Sequence, residues 1–259
     1  MGSIGKRIFQ VSVKKQRIDQ LLVERGLAPS RARAQALIMA GIVVANEKRI
    51  DKAGQQLPID ADIRVKGQDH PWVSRGGLKL QHGLEHFDWR LDGQIVLDVG
   101  ASTGGFTDVA LHYGATKVYA VDVGHGQLAW KLRQDDRVVV LEKQNARYLD
   151  STVIPDPVDM VVCDASFISL KTVLPAALSL ARPGGRLIAL IKPQFEVGKE
   201  NVGKGGVVRD PDLHEAVCED IKAWLDSLPE WRVIDITQSP IKGPEGNIEF
   251  LIAAEKNSA

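Results

Sequence analysis

Apolar positions in the first 70 residues come in short groups, whereas from residue 94 onward they come in longer runs. Residues 17–25 (RIDQLLVER) put Ile18, Leu21 and Leu22 on one helical face and run into Gly26, which predicts a short amphipathic helix with a glycine stop. Ser30 is placed to N-cap a second helix over 31–40, stopped by Gly41. IVVAN (42–46) and DIRVKG (62–67) read as short strands separated by turn-rich sequence. Beyond them, QIVLDVG (94–100), KVYAVDV (117–123), RVVVLEK (137–143), VDMVVCDAS (158–166) and GRLIALIKP (185–193) read as buried strands. They alternate with helical stretches near 104–113, 127–134, 170–182 and 212–228, the pattern of a parallel sheet covered on both faces. WRVIDIT (231–237) and EFLIAAE (249–255) follow with no helix between them, so the last pair is expected to be an antiparallel hairpin. The expected architecture is a doubly wound, mostly parallel α/β sheet of seven strands, preceded by a small α+β domain. The proline-containing stretch 68–72 (QDHPW) marks the joint, with a head over 1–67, a linker over 68–78 and a body over 79–259.

Charge sharpens this division. The 259 residues are 44% hydrophobic and 25% charged with zero formal net charge, which is ordinary for a globular protein. Residues 1–80, however, carry 15 Lys+Arg against 7 Asp+Glu, or +8, and the remainder carries 18 against 26, or −8. A basic head on an acidic body points to a polyanionic partner for the head. Arg31 and Arg33 fall in the first turn of the second helix, where cations oppose the macrodipole, so phosphate contact is the expected reason for them. Arg17, Lys48 and Arg49 complete the candidate set for a phosphate-bearing partner. The two cysteines, Cys163 and Cys218, belong to no CxxC pair, so neither a disulfide framework nor a structural zinc is expected, and a reducing cytoplasm is. No apolar run approaches the ~20 residues that span a bilayer, and no membrane association is expected.

The order R-I-D-Q-L-L-x-x-R-G-L-x-x-S-R-x-x-A-x-x-L-I-x-x-G-x-V over the start of 17–67 resembles the S4-type RNA-binding domain. The resemblance implies contact with structured RNA through the second helix and the following hairpin, by shape and phosphates.

In the body, the first long strand ends in DVGASTGGFT, beginning at Asp98. A glycine turn between strand and helix lets a ligand approach the backbone at the carboxyl edge of a sheet. A nicotinamide fingerprint would need a glycine two positions after Gly100, where this chain has Ser102, whose side chain obstructs a pyrophosphate. D-x-G-x-x-x-G-G instead resembles the methyltransferase loop that holds the methionine part of S-adenosylmethionine. Asp98, Gly100, Ser102, Gly104, Gly105 and Phe106 are its candidate residues. Asp122 with Val123 ends the second long strand, where a carboxylate can accept from both ribose hydroxyls, and Asn145 after the third can read the adenine edge.

Lys79 (SRGGLKL), Asp164 (CDASFIS), Lys192 (IKPQFE) and Glu249 (GNIEFL) stand around the same sheet, and Asp164 is also a candidate for the cofactor. These motifs together resemble the FtsJ-like 2′-O-ribose methyltransferases of class I, Rossmann-like fold, and within them the TlyA family, also called hemolysin A. The resemblance implies a Lys-Asp-Lys-Glu tetrad at these four positions and methylation of cytidine 2′-hydroxyls in ribosomal RNA. A ribose hydroxyl attacking a sulfonium methyl must lose its proton, and a lysine can take it where burial and a second cation favour the neutral amine. Lys192 is the expected base, Lys79 the second cation, and Asp164 and Glu249 the groups that hold both lysines.

Other signals point elsewhere than chemistry. His82-x-x-Glu85-His86 spells an inverted zinc-protease motif, but it contains a glycine and no third-ligand motif accompanies it, so no metal is expected. Gly198-x4-Gly203-Lys204 approaches a Walker A loop, but Gly205 replaces the magnesium-binding Ser/Thr, and a loop over the substrate is the expected reading. Cys163, in an apolar strand, reads as a buried small residue rather than a nucleophile. The rival functions are a membrane-active hemolysin and an RNA-binding assembly factor that keeps the cofactor without turnover. DNA is not expected as a partner, and the oligomeric state is open.

Overall fold

The computed structural model describes residues 14–28, 30–66, 70–243 and 245–258. The chain divides into two compact units, Met1–Pro71 and Trp72–Ala259. In the first, β1 (Lys15–Arg17) leads into α1 (Ile18–Glu24), followed by α2 (Arg31–Met39), β2 (Val43–Ala45), β3 (Lys48–Arg49), β4 (Gln56–Pro58) and β5 (Ile63–Val65). β1 pairs antiparallel with β4, and β2 lies between β3 and β5. Both helices follow the expected apolar faces: Ile18, Leu22, Ala34 and Ile38 are at most 1% exposed and pack with Val43 and Ile50. Ser30 caps α2 as expected, its Oγ accepting from Arg33 N at 3.2 Å. β1, β3 and β4 are new, because a strand of two or three residues is too short to carry a readable period.

The second unit opens on α3 (Gly77–His86) and runs β6 (Ile95–Val99), α4 (Gly105–His112), β7 (Lys117–Asp122), α5 (Trp130–Arg133), β8 (Val138–Glu142), β9 (Val158–Cys163), α6 (Leu170–Ser179), β10 (Ala181–Ile191), α7 (Pro193–Glu196), α8 (Pro211–Asp226), β11 (Trp231–Gln238) and β12 (Phe250–Lys256). Its strand order is β11-β12-β10-β9-β6-β7-β8, with the last five of these parallel and β12 antiparallel to both neighbours. The seven-stranded, doubly wound sheet is the one the apolar runs predicted. Alternate residues feed opposite cores: Leu97, Val161 and Leu187 pack with Leu174 and Ile221 on one face, and Val96, Met160 and Ile188 with Leu80 and Val109 on the other. From β6 the chain moves outward through β7 to β8, then crosses back to β9. The carboxyl ends of β6 and β9 therefore form a topological switch point, the place where such sheets bind ligands.

Two expectations need correction. The linker is shorter than 68–78: Trp72 is 5% exposed in the core of the second unit, its Nε1 donates to Gln81 Oε1 at 2.9 Å, and Val73 N donates to Asp108 Oδ2 at 2.8 Å. Burying an indole outweighs the sequence's loop-like appearance, so residues from Trp72 onward belong to the second unit. Gln68 and Asp69 of the expected joint lie outside the described residues. The second correction is α3, which sequence periodicity did not reveal. Glycine at 76, 77 and 83 gives the stretch a loop-like composition, and Gly83 in the helix interior costs about 1 kcal/mol relative to alanine. Burial of Leu80 and Leu84 offsets that loss.

Candidate active site

Two adjoining cavities occupy the switch point. One, of about 690 Å³, is lined by Gly100, Ser102, Asp122, Val123, Asn145 and Ile168 among others. The second, of about 480 Å³, is lined by Lys79, Gly105, Phe106, Lys192, Gln194 and Glu249 among others. Gly100, Ser102, Asp164, Ser166 and Phe167 line both, so the cavities are continuous.

The larger cavity is built on the glycine loop after β6. Gly100 has φ +83°, and a Cβ there would lie 2.9 Å from the backbone of Ala165, so only glycine lets β6 and the segment after β9 meet. At Gly105 a Cβ would strike Ser74 Oγ and Gly77 N, so its absence brings the start of α3 against α4. Asp122 is held rigidly: Oδ2 accepts from Ser102 N at 2.8 Å and Oδ1 from Gly124 N at 2.7 Å. Each oxygen keeps a lone pair for a ligand hydroxyl. Asn145 is more constrained than its sequence position suggested. Its Oδ1 accepts from Arg147 N at 3.1 Å, capping a short 3-10 turn, which leaves Nδ2 for a ligand.

Asp98 and Gly104 line neither cavity. Gly104, at φ +94°, gives Leu128 and Leu132 room beneath the loop. Asp98 is fully buried and accepts from Thr107 Oγ1 at 2.6 Å. Burial, aided by the carboxylates of Asp164 and Asp122, pushes its pKa up to about 7. Asp98 thus supports the loop from within and does not present a ligand group.

In the smaller cavity four charged side chains form a chain of ion pairs. Glu249 Oε2 lies 2.6 Å from Lys79 Nζ, Lys79 Nζ lies 3.6 Å from Asp164 Oδ2, and Asp164 Oδ1 lies 2.6 Å from Lys192 Nζ. Lys79 comes from α3, Asp164 and Lys192 follow β9 and β10, and Glu249 precedes β12. Lys79 and Lys192 are each 6% exposed and Glu249 is 1% exposed. Two cations and two carboxylates cancel, which offsets the cost of burying them. The order of charge differs from the expected one, in which Lys79 acts as the neighbouring cation of Lys192. Asp164 stands between the lysines, because α3 approaches the sheet from the Glu249 side.

Lys192 Nζ also donates to Asp164 O at 2.9 Å and to Ser166 Oγ at 2.8 Å. Two of its hydrogens are thus engaged in hydrogen bonds, while Asp164 Oδ1 pairs with it in charge. The sequence reading overlooked Ser166, Phe167, Gln194 and Phe195, which lie within three residues of the motif residues Asp164 and Lys192. Phe167 is 89% exposed with φ +64°, rare for an aromatic residue, and its ring lies 5.0 Å from that of Phe195. Cys163 is buried and its thiol is pushed up to about 12, the opposite of an activated nucleophile.

In the first unit the candidate cations separate into two groups. Arg17 Nε and Nη2 donate to Asp19 at 3.0 and 2.9 Å, Arg31 Nη2 to Asp19 Oδ2 at 3.0 Å and Gln35 Nε2 to the same oxygen at 3.2 Å. Hydrogen bonds from Arg17 above all, with those from Arg31 and Gln35, hold the buried Asp19 well below the usual carboxylate range. Arg31 at the helix start thus has an internal partner, and phosphate contact is not needed to explain it. Arg49 pairs with Asp51 at 3.0 Å. Arg33 and Lys48 are exposed and make no ion pair among the described residues.

Comparison with known proteins agrees with both units. The FtsJ-like methyltransferase family matches residues 72–256 and the S4 domain matches residues 16–63. The 16S/23S rRNA (cytidine-2′-O)-methyltransferase TlyA of Mycobacterium tuberculosis is 46% identical over 240 residues, 92% of this chain and 89% of that protein. Hemolysin A of Brachyspira hyodysenteriae is 39% identical over 237 residues, 91% of this chain and 98% of that protein. A solved Streptococcus thermophilus structure of the hemolysin group superposes with TM-score 0.73 at 44% identity, covering 96% of this chain and 90% of that one.

Proposed function

Since the chain belongs to the FtsJ-like methyltransferase family and carries an S4 domain, we propose that it methylates a ribose 2′-hydroxyl of ribosomal RNA, at cytidine, in the cytoplasm, with S-adenosylmethionine as donor. The observation that carries this reading is the continuity of the two cavities at Asp164, with a lysine–carboxylate chain on one side and a glycine loop on the other. The larger cavity suits the cofactor. Asp122 offers a carboxylate for a ribose diol, Asn145 Nδ2 a donor for a base edge, and Val99, Val121, Ile168 and Val173 apolar walls for an adenine ring. The bound cofactor supplies an electrophilic sulfonium methyl.

The remaining work falls to the chain's own residues. The glycine loop and Asp122 fix the donor end, and the smaller cavity orients the acceptor hydroxyl in line, which is most of what methyl transfer needs. Lys79 and Glu249 brace Asp164, and Asp164 holds Lys192 in the smaller cavity. Once neutral, Lys192 keeps its two N–H bonds, to the backbone carbonyl of Asp164 and to Ser166 Oγ, both of which accept. Its lone pair is left for the ribose proton.

The test is tritiated-methyl transfer to purified ribosomal subunits, with mapping of ribose methylation. The wild type should label a cytidine 2′-hydroxyl. Lys192→Arg keeps the charge but cannot lose its proton near neutral pH, so transfer should vanish while cofactor and RNA still bind. Undiminished transfer by this variant would remove Lys192 as the base. Asp122→Ala leaves ribose hydroxyls unpaired, and calorimetry should show cofactor affinity reduced by about tenfold or more. Unchanged affinity would remove the larger cavity as the cofactor site.

A further inference from the structure

The glycine-rich segment after α7 was read from sequence only as a loop over the substrate, and its structure gives it a specific support. Gly203 N donates to Val207 O at 3.2 Å and Gly206 N to Gly203 O at 3.1 Å, closing a tight turn. Gly205 and Gly206 have φ +80° and +75°, and both line the smaller cavity beside Glu245 and Glu249. A Cβ built on either meets nothing within 4 Å, so these glycines leave open space on the cavity side.

Behind the turn lies Asn247, 1% exposed and two residues before Glu249. Its Oδ1 accepts from Val208 N at 3.0 Å and its Nδ2 donates to Gly206 O at 2.9 Å. His214 Nε2 makes a 3.0 Å contact with Val208 O from α8. Both Asn247 bonds go to backbone, so they hold the turn whatever its side chains. They also require a donor and an acceptor on one short planar group, which asparagine supplies. The same short segment thus carries Glu249 and fixes one wall of the cavity that the lysines also line.

Resting on the function proposed above, we propose that Asn247 is a positioning residue of the acceptor site. It clamps the turn Gly203–Val208 so that Gly205 and Gly206 form the surface against which the sugar–phosphate backbone of the target nucleotide seats. A wall without side chains lets that backbone approach the peptide closely, and exposed Lys204 and Arg209 at its two ends add positive charge toward phosphates. No described residue of 203–208 lines the cofactor cavity, so the clamp acts on RNA and not on the methyl donor.

The test uses full-length Asn247→Ala and Asn247→Gln; the second keeps both amide groups on a stem one methylene longer. Four quantities are read: cofactor affinity by calorimetry, kcat and KM for ribosomal subunits, and the rate of tryptic cleavage after Lys204. Both variants should lose about tenfold in kcat/KM for RNA, keep cofactor affinity within about twofold, and be cut faster at Lys204. Unchanged RNA kinetics, unchanged cleavage at Lys204, or a parallel fall in cofactor affinity would overturn the clamp. A wild type that binds cofactor but labels no ribose would overturn the methyltransferase reading instead, and the cleavage rates would still report on whether Asn247 holds the turn.

Discussion

Asp98 shows how a single carboxylate can be central to a site without touching a ligand. It is fully buried beneath the glycine loop, bonded to Thr107, with its pKa raised to about 7. A carboxyl whose folded value lies above its unfolded value of ~3.9 binds its proton better in the native state, so stability falls as pH rises from about 4 through 7. Thermal midpoints of the ligand-free protein should decline between about pH 4 and 7, by an amount equivalent to a few kcal/mol. Asp98→Asn, which cannot ionise, should flatten that decline. An unchanged slope in the variant would show that other groups carry it. The ion pairs of Lys79, Asp164, Lys192 and Glu249 are a different case, because each buried charge there has an opposite neighbour within 4 Å.

Among the elements, α1 and α2 are joined by a polar contact as well as by their apolar faces. Asp19 on α1 takes Arg31 and Gln35 of α2 together with Arg17. Arg17 and Arg31 remain partly exposed, so water screens the contact, and Asp19→Ala should cost on the order of 1 kcal/mol. Chemical denaturation would measure it, and a variant as stable as the wild type would mean that solvent replaces Asp19 at no cost. Helix α3 makes the complementary point. Its glycines made it unreadable as a helix, yet Gly83 brings it within contact of Ile188 and Leu251. That close seat on the sheet delivers Lys79 to Asp164.

Across the whole molecule the charges are sorted by unit: Met1–Pro71 carries 13 Lys+Arg against 7 Asp+Glu, or +6, and Trp72–Ala259 carries 20 against 26, or −6. With Arg17 and Arg31 committed to Asp19 and Arg49 to Asp51, Arg33 and Lys48 are the candidate cations left exposed and without an ion pair among the described residues. Arg33→Ala with Lys48→Ala should reduce the log–log salt dependence of binding to ribosomal subunits by about one unit per cation. Filter binding across a salt series would show it, and a slope equal to that of the wild type would assign the electrostatic work to other residues.

The apolar runs of the second unit determined its parallel sheet, because a strand covered on both faces must be apolar throughout. Short motifs at strand ends determined the site's membership: Gly100, Asp122, Asp164, Lys192 and Glu249 all meet at the switch point. What the chain order could not carry was the pairing of distant side chains. Asp19 with Arg31 and Asp164 between two lysines depend on how elements dock, which local periodicity does not encode. Asn247 behind the glycine turn is of the same kind: it bonds backbone groups about 40 residues away, and backbone partners leave no signature in the residues that provide them.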